Sequence, residues 1–192
     1  IDTDKRDRKF MPTDGYSAGF NQIVPFYADA PYIKNSVFYN KYNAFSPNVI
    51  GSFKFFSSAI NGLDNEDIRI SKRLHLSSRK LRGFESGKVG PKDGNDYVGG
   101  NYATSANFEA NLPNLLPEDI NTDIGFFLDF GNVSGIDYDG SIDGAFKVRS
   151  STGFNVNWMS PVGPVSAVLA KNLMKHNNDR TQSFNFNLGT TF

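Results

Sequence analysis

The chain has 192 residues, and its 20 Lys and Arg residues balance its 20 Asp and Glu residues, so the formal net charge is zero at pH 7. That balance argues against nucleic-acid binding, which uses a basic excess or stripe. The absence of cysteine excludes a disulfide framework and a thiolate metal site. The length suffices for one domain with a sizeable sheet or barrel, and no apolar run approaches the roughly 18 residues of a membrane-spanning helix.

Aromatic residues and glycine are abundant although the mean hydropathy is negative: the chain holds 18 Phe, 8 Tyr and 18 Gly. A soluble β-sandwich is compatible with this composition. A membrane β-barrel matches it more closely, because apolar residues at alternate positions keep the mean hydropathy low while each strand retains an apolar face. Since the chain opens at Ile1 rather than Met, we expect a mature product or a fragment.

Eight segments have the period-two alternation of β-strands, in places imperfectly. They cover residues 16–26, 32–45, 50–60, 103–112, 123–131, 148–159, 165–173 and 182–192. Their apolar positions are rich in Phe, and their polar positions are mostly Ser, Asn and Gly. A solvent-washed face usually carries more Lys and Glu. The pattern therefore favours an all-β, antiparallel transmembrane barrel over a soluble sheet with one buried face.

The connections between these strands differ in length on the two sides. If residue 192 lies at the inner boundary of the membrane, segments 27–31, 61–100, 134–147 and 176–181 fall outside. The inner side then receives 46–49, 113–121 and 160–164. Longer loops outside and shorter turns inside are typical of membrane barrels.

The longest of these connections, about 61–100, is dense in glycine and contains apolar anchors. Long segments without secondary structure in compact folds are functional or disordered. Leu81, Phe84, Val89, Tyr97 and Val98 favour a packed segment over a disordered linker. An arginine placed among them, Arg82, needs a carboxylate partner if it is buried.

Two acidic residues fall on the inward faces of consecutive strands. Glu109 and Asp129 are nearly equidistant from the intervening turn, so an antiparallel hairpin places them at nearly the same height. Arg82 can bind both carboxylates with its guanidinium. We therefore expect the long segment to fold into the lumen, locked by Arg82. The plain alternative is that Glu109 and Asp129 simply line a wet pore.

Other polar residues do not predict a cofactor or a catalytic site. Asp137, Asp139 and Asp143 lack the glycine and glutamate of a calcium loop and are expected in a solvated external loop. His75 and His176 have no metal-ligand pattern around them. His176 with Asp179 is the one candidate for hydrolysis at the barrel rim. We predict no metal, no cofactor and no enzymatic activity.

Several ordered motifs over nearly the whole chain resemble the bacterial surface-antigen superfamily of outer-membrane protein assembly factors. They are Arg82-Gly83-Phe84, Gly90-Pro91, Val98-Gly99-Gly100-Asn101, Ala106-Asn107-Phe108-Glu109, Phe127-Leu128-Asp129-Phe130-Gly131-Asn132-Val133, Trp158-Met159-Ser160-Pro161-Val162-Gly163-Pro164, Phe10-Met11-Pro12-Thr13-Asp14-Gly15 and the aromatic final strand.

The resemblance implies a sixteen-stranded barrel preceded by POTRA domains. The eight strands here resemble the C-terminal half of that barrel, so residues 1–192 are expected to be its C-terminal part, with the POTRA domains absent from this chain. An eight-stranded barrel is just filled by its own side chains, and an open sheet leaves unpaired edges in lipid. The chain is therefore expected to be half of a larger barrel or to be completed by another chain; a small self-closed barrel is less favoured.

The resemblance also implies roles for particular residues. A lumenal loop lock is implied for Arg82, Gly83 and Phe84 with Glu109 and Asp129. A C-terminal recognition strand is implied for Phe184, Phe186, Leu188, Gly189 and Phe192.

The implied function is folding and insertion of outer-membrane β-barrel proteins through a lateral seam that templates strands, as the core of the barrel assembly machinery. The implied location is the bacterial outer membrane. The implied partners are outer-membrane lipid, nascent β-barrel clients and assembly-machinery lipoproteins, with no nucleic acid. The alternative is a polypeptide-secretion pore of the same superfamily.

Overall fold

The computed structural model describes residues 1–25, 30–113, 115, 122–160 and 163–188. One antiparallel sheet of nine strands dominates them, in the order β1-β2-β3-β4-β7-β8-β9-β10-β11. The bounds are β1 Asp2–Asp4, β2 Gly15–Ile23, β3 Tyr32–Ser46, β4 Val49–Gly62, β7 Tyr102–Leu112, β8 Thr122–Ser134, β9 Arg149–Ser160, β10 Gly163–Met174 and β11 Phe184–Leu188. A small hairpin, β5 (Lys92–Asp93) with β6 (Asp96–Tyr97), and a 3₁₀ turn at Ile70–Lys72 complete the elements.

The sheet is a meander in which each strand pairs with its neighbours in the chain, apart from the long insertion between β4 and β7. The predicted all-β, antiparallel architecture is confirmed. Within the described ranges the two ends of the sheet, β1 and β11, do not pair with each other, so the wall stays open. Among these residues no helix is long and apolar enough to cross a membrane.

The strand boundaries depart from the sequence prediction at both ends of the chain. The charged opening, which carries no alternation, forms β1 because Asp2–Asp4 pair with Gly19, Ala18 and Ser17 on β2. The sheet therefore has nine strands where the sequence predicted eight. β2 ends at Ile23, not near residue 26, and residues 26–29 lie outside the described part of the chain, as do most of the predicted turn 113–121 and residues 161–162 and 189–192.

The two faces of the sheet differ in the way the alternation predicts. One face carries large apolar side chains that remain 38–59% exposed; they are Phe20, Val37, Tyr39, Phe108, Phe126, Phe154, Leu169, Phe184, Phe186 and Leu188. The strand registers put all of them on the same side. The opposite, inner face carries buried Ser and Asn, among them Ser52, Ser58, Ser105, Asn107 and Asn155. This distribution is the reverse of a soluble domain, whose apolar face is the buried one.

Residues 63–101, the covering segment, lie over part of the inner face. Six of their apolar side chains (Ile68, Leu74, Leu76, Leu81, Phe84 and Val89) form a buried cluster with Ile60, Ala103 and Val133 of the strands. Leu74 and Gly100 exchange two backbone hydrogen bonds of 2.8 and 3.0 Å between their amide and carbonyl groups, which closes the segment at its base. Of the predicted apolar anchors, Leu81, Phe84 and Val89 belong to this cluster and Val98 is buried outside it, whereas Tyr97 is only partly buried.

One glycine of the covering segment makes a very close approach to the sheet. Gly90 has φ +99°, and a Cβ added to it would lie 2.8 Å from Cβ of Val133 at the end of β8. Both the backbone conformation and the contact exclude a larger residue without movement.

Gly90→Ala is therefore expected to destabilise the folded protein by about 1–3 kcal/mol, because it adds backbone strain and a clash with a packed strand. The measurement is the midpoint of heat-modified gel mobility of the protein in detergent. The matched control is Gly140→Ala, whose added Cβ would meet nothing within 4 Å. Equal midpoints for the two variants would contradict the packing described.

Candidate functional site

The candidate site begins with a tight turn in the covering segment. Leu81 and Phe84 flank Arg82 and Gly83 in the sequence, and each is only 1% exposed. Gly83 has φ +86°, and a Cβ at this position would lie 3.1–3.2 Å from Ala170, Asn172 and Ser151 of β9 and β10. The turn therefore rests directly on the wall, with the arginine side chain directed along it.

Arg82 binds carboxylates from two neighbouring strands. We call Arg82, Glu109, Asp129 and the ring of Phe127 together the arginine clamp. The Nε and Nη2 of Arg82 donate to the two Asp129 oxygens, each at 2.8 Å, and Nη1 donates to Glu109 Oε2 at 2.8 Å. Its backbone N–H also donates to Asp129 Oδ2 at 3.0 Å. The Asp129 side chain is 0% exposed, so the pairing is made away from bulk water.

The two carboxylates lie on a diagonal and not directly opposite one another. In the β7–β8 register Glu109 pairs with Phe127, and Asp129 pairs with Asn107. Glu109 and Asp129 were expected at nearly the same height in the sheet, and the register places them two residues apart. A diagonal pair lies about 7–8 Å apart at Cα, which leaves room for the guanidinium between the two carboxylates.

Phe127 is the member of the clamp that the sequence did not predict. Its ring centroid is 3.8 Å from Cζ of Arg82, a cation–π distance. The consecutive Phe126 and Phe127 could have indicated this contact. Neighbouring residues of a strand point to opposite faces, so one of the two rings has to point inward. Phe126 is 46% exposed on the apolar face, whereas Phe127 is 3% exposed on the inner face.

Asparagine and serine side chains of the wall complete the hydrogen bonding. Asn155 Nδ2 donates to Glu109 Oε1 at 3.0 Å, and Asn107 Nδ2 donates to the Lys80 carbonyl at 2.9 Å. Asn172 Nδ2 donates to the Gly83 carbonyl at 2.9 Å, and Ser151 Oγ donates to the Arg82 carbonyl. Three of these four side chains thus bind backbone carbonyls of the covering segment.

The guanidinium remains charged in this environment. Burial by itself lowers the pKa of Arg82, but the hydrogen bonds to Asp129 and the negative charge of Glu109 outweigh burial and raise this pKa above its ordinary value. Arg82 therefore contributes a fixed positive charge to the clamp.

A cavity of about 340 Å³ adjoins the clamp and is lined in part by Lys54, Lys80, Arg82 and Glu109. Glu109 does not stand free in it: its side chain is 6% exposed, with Lys54 Nζ 4.0 Å from Oε2. The sequence left two interpretations of Glu109 open. The geometry favours a carboxylate paired with cations over one that merely lines a wet pore.

Two further arginines form ion pairs with aspartates in loops, and the sequence indicated neither ion pair. Arg73, whose side chain is 0% exposed, pairs with Asp137 and donates to Asn101 Oδ1 at 2.7 Å. Arg149 pairs with Asp179 at 3.0 Å between Nη2 and Oδ1. Asp137, Asp139 and Asp143 are all exposed, as predicted for a solvated loop, although Asp137 also pairs with the buried Arg73.

The proposed rim constellation of His176 and Asp179 does not form. Asp179 accepts from the backbone N–H of His176 at 2.7 Å and from Arg149, while the His176 ring lies 3.2 Å from the Val148 carbonyl. The carboxylate therefore does not orient the imidazole as a catalytic pair requires. In the described ranges no group of three or more His, Cys, Asp or Glu side chains has the arrangement of a metal site.

The predicted recognition strand is described in part. Phe184, Phe186 and Leu188 lie on β11 and point to the apolar face, 55–59% exposed. Gly189 and Phe192 lie outside the described residues. In the described ranges β11 pairs on one side only, with β10.

Comparison with known proteins identifies the architecture. The sequence profile described as the Omp85 superfamily domain matches residues 1–192. The crystal structure of BamA from Haemophilus ducreyi lacking POTRA domains 1-3 superposes with a TM-score of 0.87 at 22% identity, over 96% of this chain and 40% of that one. The fold is thus that of a BamA barrel, of which this open sheet is a part, as the sequence predicted.

Two curated relatives are also similar in sequence. The outer membrane protein assembly factor BamA of Neorickettsia risticii (strain Illinois) is 25% identical over 193 residues, 98% of this chain and 26% of that protein. The protein of the same name from Neisseria meningitidis serogroup B (strain ATCC BAA-335 / MC58) is 32% identical over 139 residues, 58% of this chain and 17% of that protein. The chain spans about a quarter or less of the length of these relatives. Because the profile covers it from end to end, this chain belongs to the Omp85 superfamily.

Proposed function

We propose that this chain is the C-terminal part of the barrel of a factor that folds and inserts β-barrel proteins in the bacterial outer membrane. One observation carries the proposal: an antiparallel wall of the Omp85 superfamily ends in β11, a strand that is paired on one side only among the described residues. Such an edge presents unpaired N–H and C=O groups that can template another strand.

The mechanism follows from the chemistry of that edge. An incoming client segment adds to it by β-augmentation, in which main-chain hydrogen bonds supply the affinity. Because each added strand satisfies its backbone groups before it meets lipid, the high cost of unpaired groups in hydrocarbon is avoided. The process requires neither a nucleotide nor a cofactor, and we propose no catalytic residue.

The exposed aromatic face supports contact with outer-membrane lipid. Apolar side chains at alternate positions, with polar ones opposite, are the arrangement of a barrel wall in a bilayer. Residues 63–101 then lie inside the lumen. Nascent β-barrel clients and assembly-machinery lipoproteins are the proposed partners, and the zero net charge gives no support to nucleic-acid binding.

The arginine clamp is proposed to keep the covering segment on the wall and thereby stiffen the wall near the edge strand. Breaking a buried ion pair by removing one partner costs about 3–5 kcal/mol, because the remaining charge is left uncompensated. The polypeptide-secretion pore is not favoured, since the relatives from Neorickettsia risticii and Neisseria meningitidis both bear the name of the assembly factor.

Arg82→Ala is expected to lower barrel stability by about 3–5 kcal/mol and to reduce client insertion, because Asp129 and Glu109 lose their shared cation. Asp129→Asn is expected to act in the same direction. The measurements are heat-modified gel mobility and insertion of a radiolabelled β-barrel client into liposomes that contain the variant. Lys72→Ala is the control, since it removes a positive charge from an exposed residue of the same segment. Normal mobility together with normal insertion in both variants would contradict the proposed role of the arginine clamp.

Phe127→Leu is expected to destabilise the barrel by about 1–2 kcal/mol, since it removes the ring that stacks on Arg82 and leaves a small void. The control is Phe126→Leu on the adjacent, exposed position of the same strand. The thermal midpoint in detergent is the readout. A control that loses as much stability as the Phe127 variant would rule out the stacking contribution.

A further inference from the structure

Residues 83–88, directly after the clamp arginine, are hydrogen-bonded to the segment that leads into β11. Gln182 N–H donates to the Gly83 carbonyl at 3.0 Å, and Glu85 N–H donates to the Arg180 carbonyl at 3.0 Å. Arg180 N–H in turn donates to the Lys88 carbonyl at 3.1 Å. Phe84 and Thr181 form the β-bridge at the centre of this contact. The covering segment thus binds residues 175–183, hereafter the β10–β11 connection, through backbone groups.

A second buried ion pair holds the same connection from the other side. The Arg149 Nε lies 3.1 Å from each oxygen of Asp179, and Nη2 donates to Oδ1 at 3.0 Å. Arg149 Nη1 also donates to the Lys147 carbonyl at 2.7 Å. The side chains of Arg149 and Asp179 are 4% and 0% exposed. A surface ion pair contributes little, but this pair is desolvated and multiply hydrogen-bonded, so its geometry is strongly constrained.

The connection passes directly into the edge strand. Ala170 N–H donates to the Ser183 carbonyl at 2.8 Å, and the β10–β11 pairing continues from Leu169↔Phe184 to Val165↔Leu188. Only five residue pairs define this register among the described residues. In a tight hairpin the turn fixes the register, but the β10–β11 connection is too long to act in that way.

We propose that Arg149 and Asp179 are positioning residues that set the register of β11 and couple that strand to the arginine clamp. The coupling runs from Arg82 through the Gly83–Gln182 and Glu85–Arg180 hydrogen bonds to the connection, which Asp179 fastens to β9. The consequence for function rests on the proposed role of β11 as the templating edge: a client strand pairs correctly only if the edge itself stands in one register.

The first experiment measures amide hydrogen exchange in the detergent-solubilised protein. Asp179→Asn is expected to raise exchange of the amides in 183–188 by about tenfold or more, because a buried arginine loses its counter-charge and the connection opens locally. Exchange of peptides covering 76–82 is expected to stay unchanged, since Asp129 and Glu109 still hold Arg82. Asp143→Asn is the matched control, because it makes the same chemical change in the exposed Lys147–Asp143 pair.

A second variant guards against a folding defect of Asp179→Asn. Gln182→Pro removes the backbone N–H that donates to the Gly83 carbonyl, to which the Asn172 side chain also donates, and it leaves both ion pairs intact. It is expected to raise exchange in 183–188 in the same way. Unchanged exchange at β11 in a folded Gln182→Pro protein would overturn the proposal, whatever Asp179→Asn does.

The register itself can be trapped with disulfides, since this chain has no cysteine. Ala167 and Phe186 lie directly opposite in the native register, so the pair Ala167→Cys with Phe186→Cys is expected to cross-link readily. The pair Ala167→Cys with Phe184→Cys reports a slip of two residues. Adding Asp179→Asn is expected to lower the yield of the first pair at least about threefold and to raise that of the second.

These outcomes separate the inference from the proposed function. If the parent protein does not insert β-barrel clients while Asp179→Asn shifts the cross-linking yields, the proposed function fails and the positioning role stands. If the cross-linking yields and exchange at β11 are the same in the parent protein, Asp179→Asn and Asp143→Asn, the positioning role fails and the proposed function is untouched.

Discussion

A guanidinium buried on the inner face of the sheet is the constraint on which the rest of the structure depends. An unpaired charge in such a place costs several kcal/mol, and pairing offsets that cost only when the geometry is nearly ideal. Arg82 meets this condition with three side-chain bonds of 2.8 Å to carboxylates on two strands and an aromatic ring against its plane. Because Asp129 also accepts from the backbone N–H of Arg82, the chain cannot shift there without breaking several bonds at once.

The covering segment needs such contacts because it has little secondary structure to hold it. Its apolar cluster stabilises the segment without fixing which residues face one another. The ion pairs are directional and fix that arrangement. Arg73–Asp137 joins the covering segment to the β8–β9 loop, and Arg149–Asp179 joins β9 to the β10–β11 connection. Each of the three arginines thus fastens a connecting segment to another part of the chain to which backbone pairing in the main sheet does not join it.

How far the sequence predicts this structure depends on the range of the interaction. Alternation is local, so β7, β8 and β9 were predictable from residues such as Phe108, Phe126 and Phe154, and the spacing of Glu109 and Asp129 about a turn was sufficient to bring them together. β1 was not predicted because Asp2–Asp4 have no apolar alternation of their own. These residues form a strand only because they pair with β2. The pairing of Asp179 was missed for a related reason: its partner, Arg149, is 30 residues away at the start of β9, and a His nearby in sequence suggested different chemistry. Phe127 was hidden by treating the inner face as uniformly polar.

The most direct test of the central claim is a double-mutant cycle between Arg82→Ala and Asp129→Ala, read as the free energy of unfolding of the barrel in detergent. If the guanidinium and the carboxylate hold the covering segment together, the double variant loses far less stability than the sum of the single variants, with a coupling free energy of at least about 2 kcal/mol. Additive losses, with a coupling free energy near zero, would contradict the account.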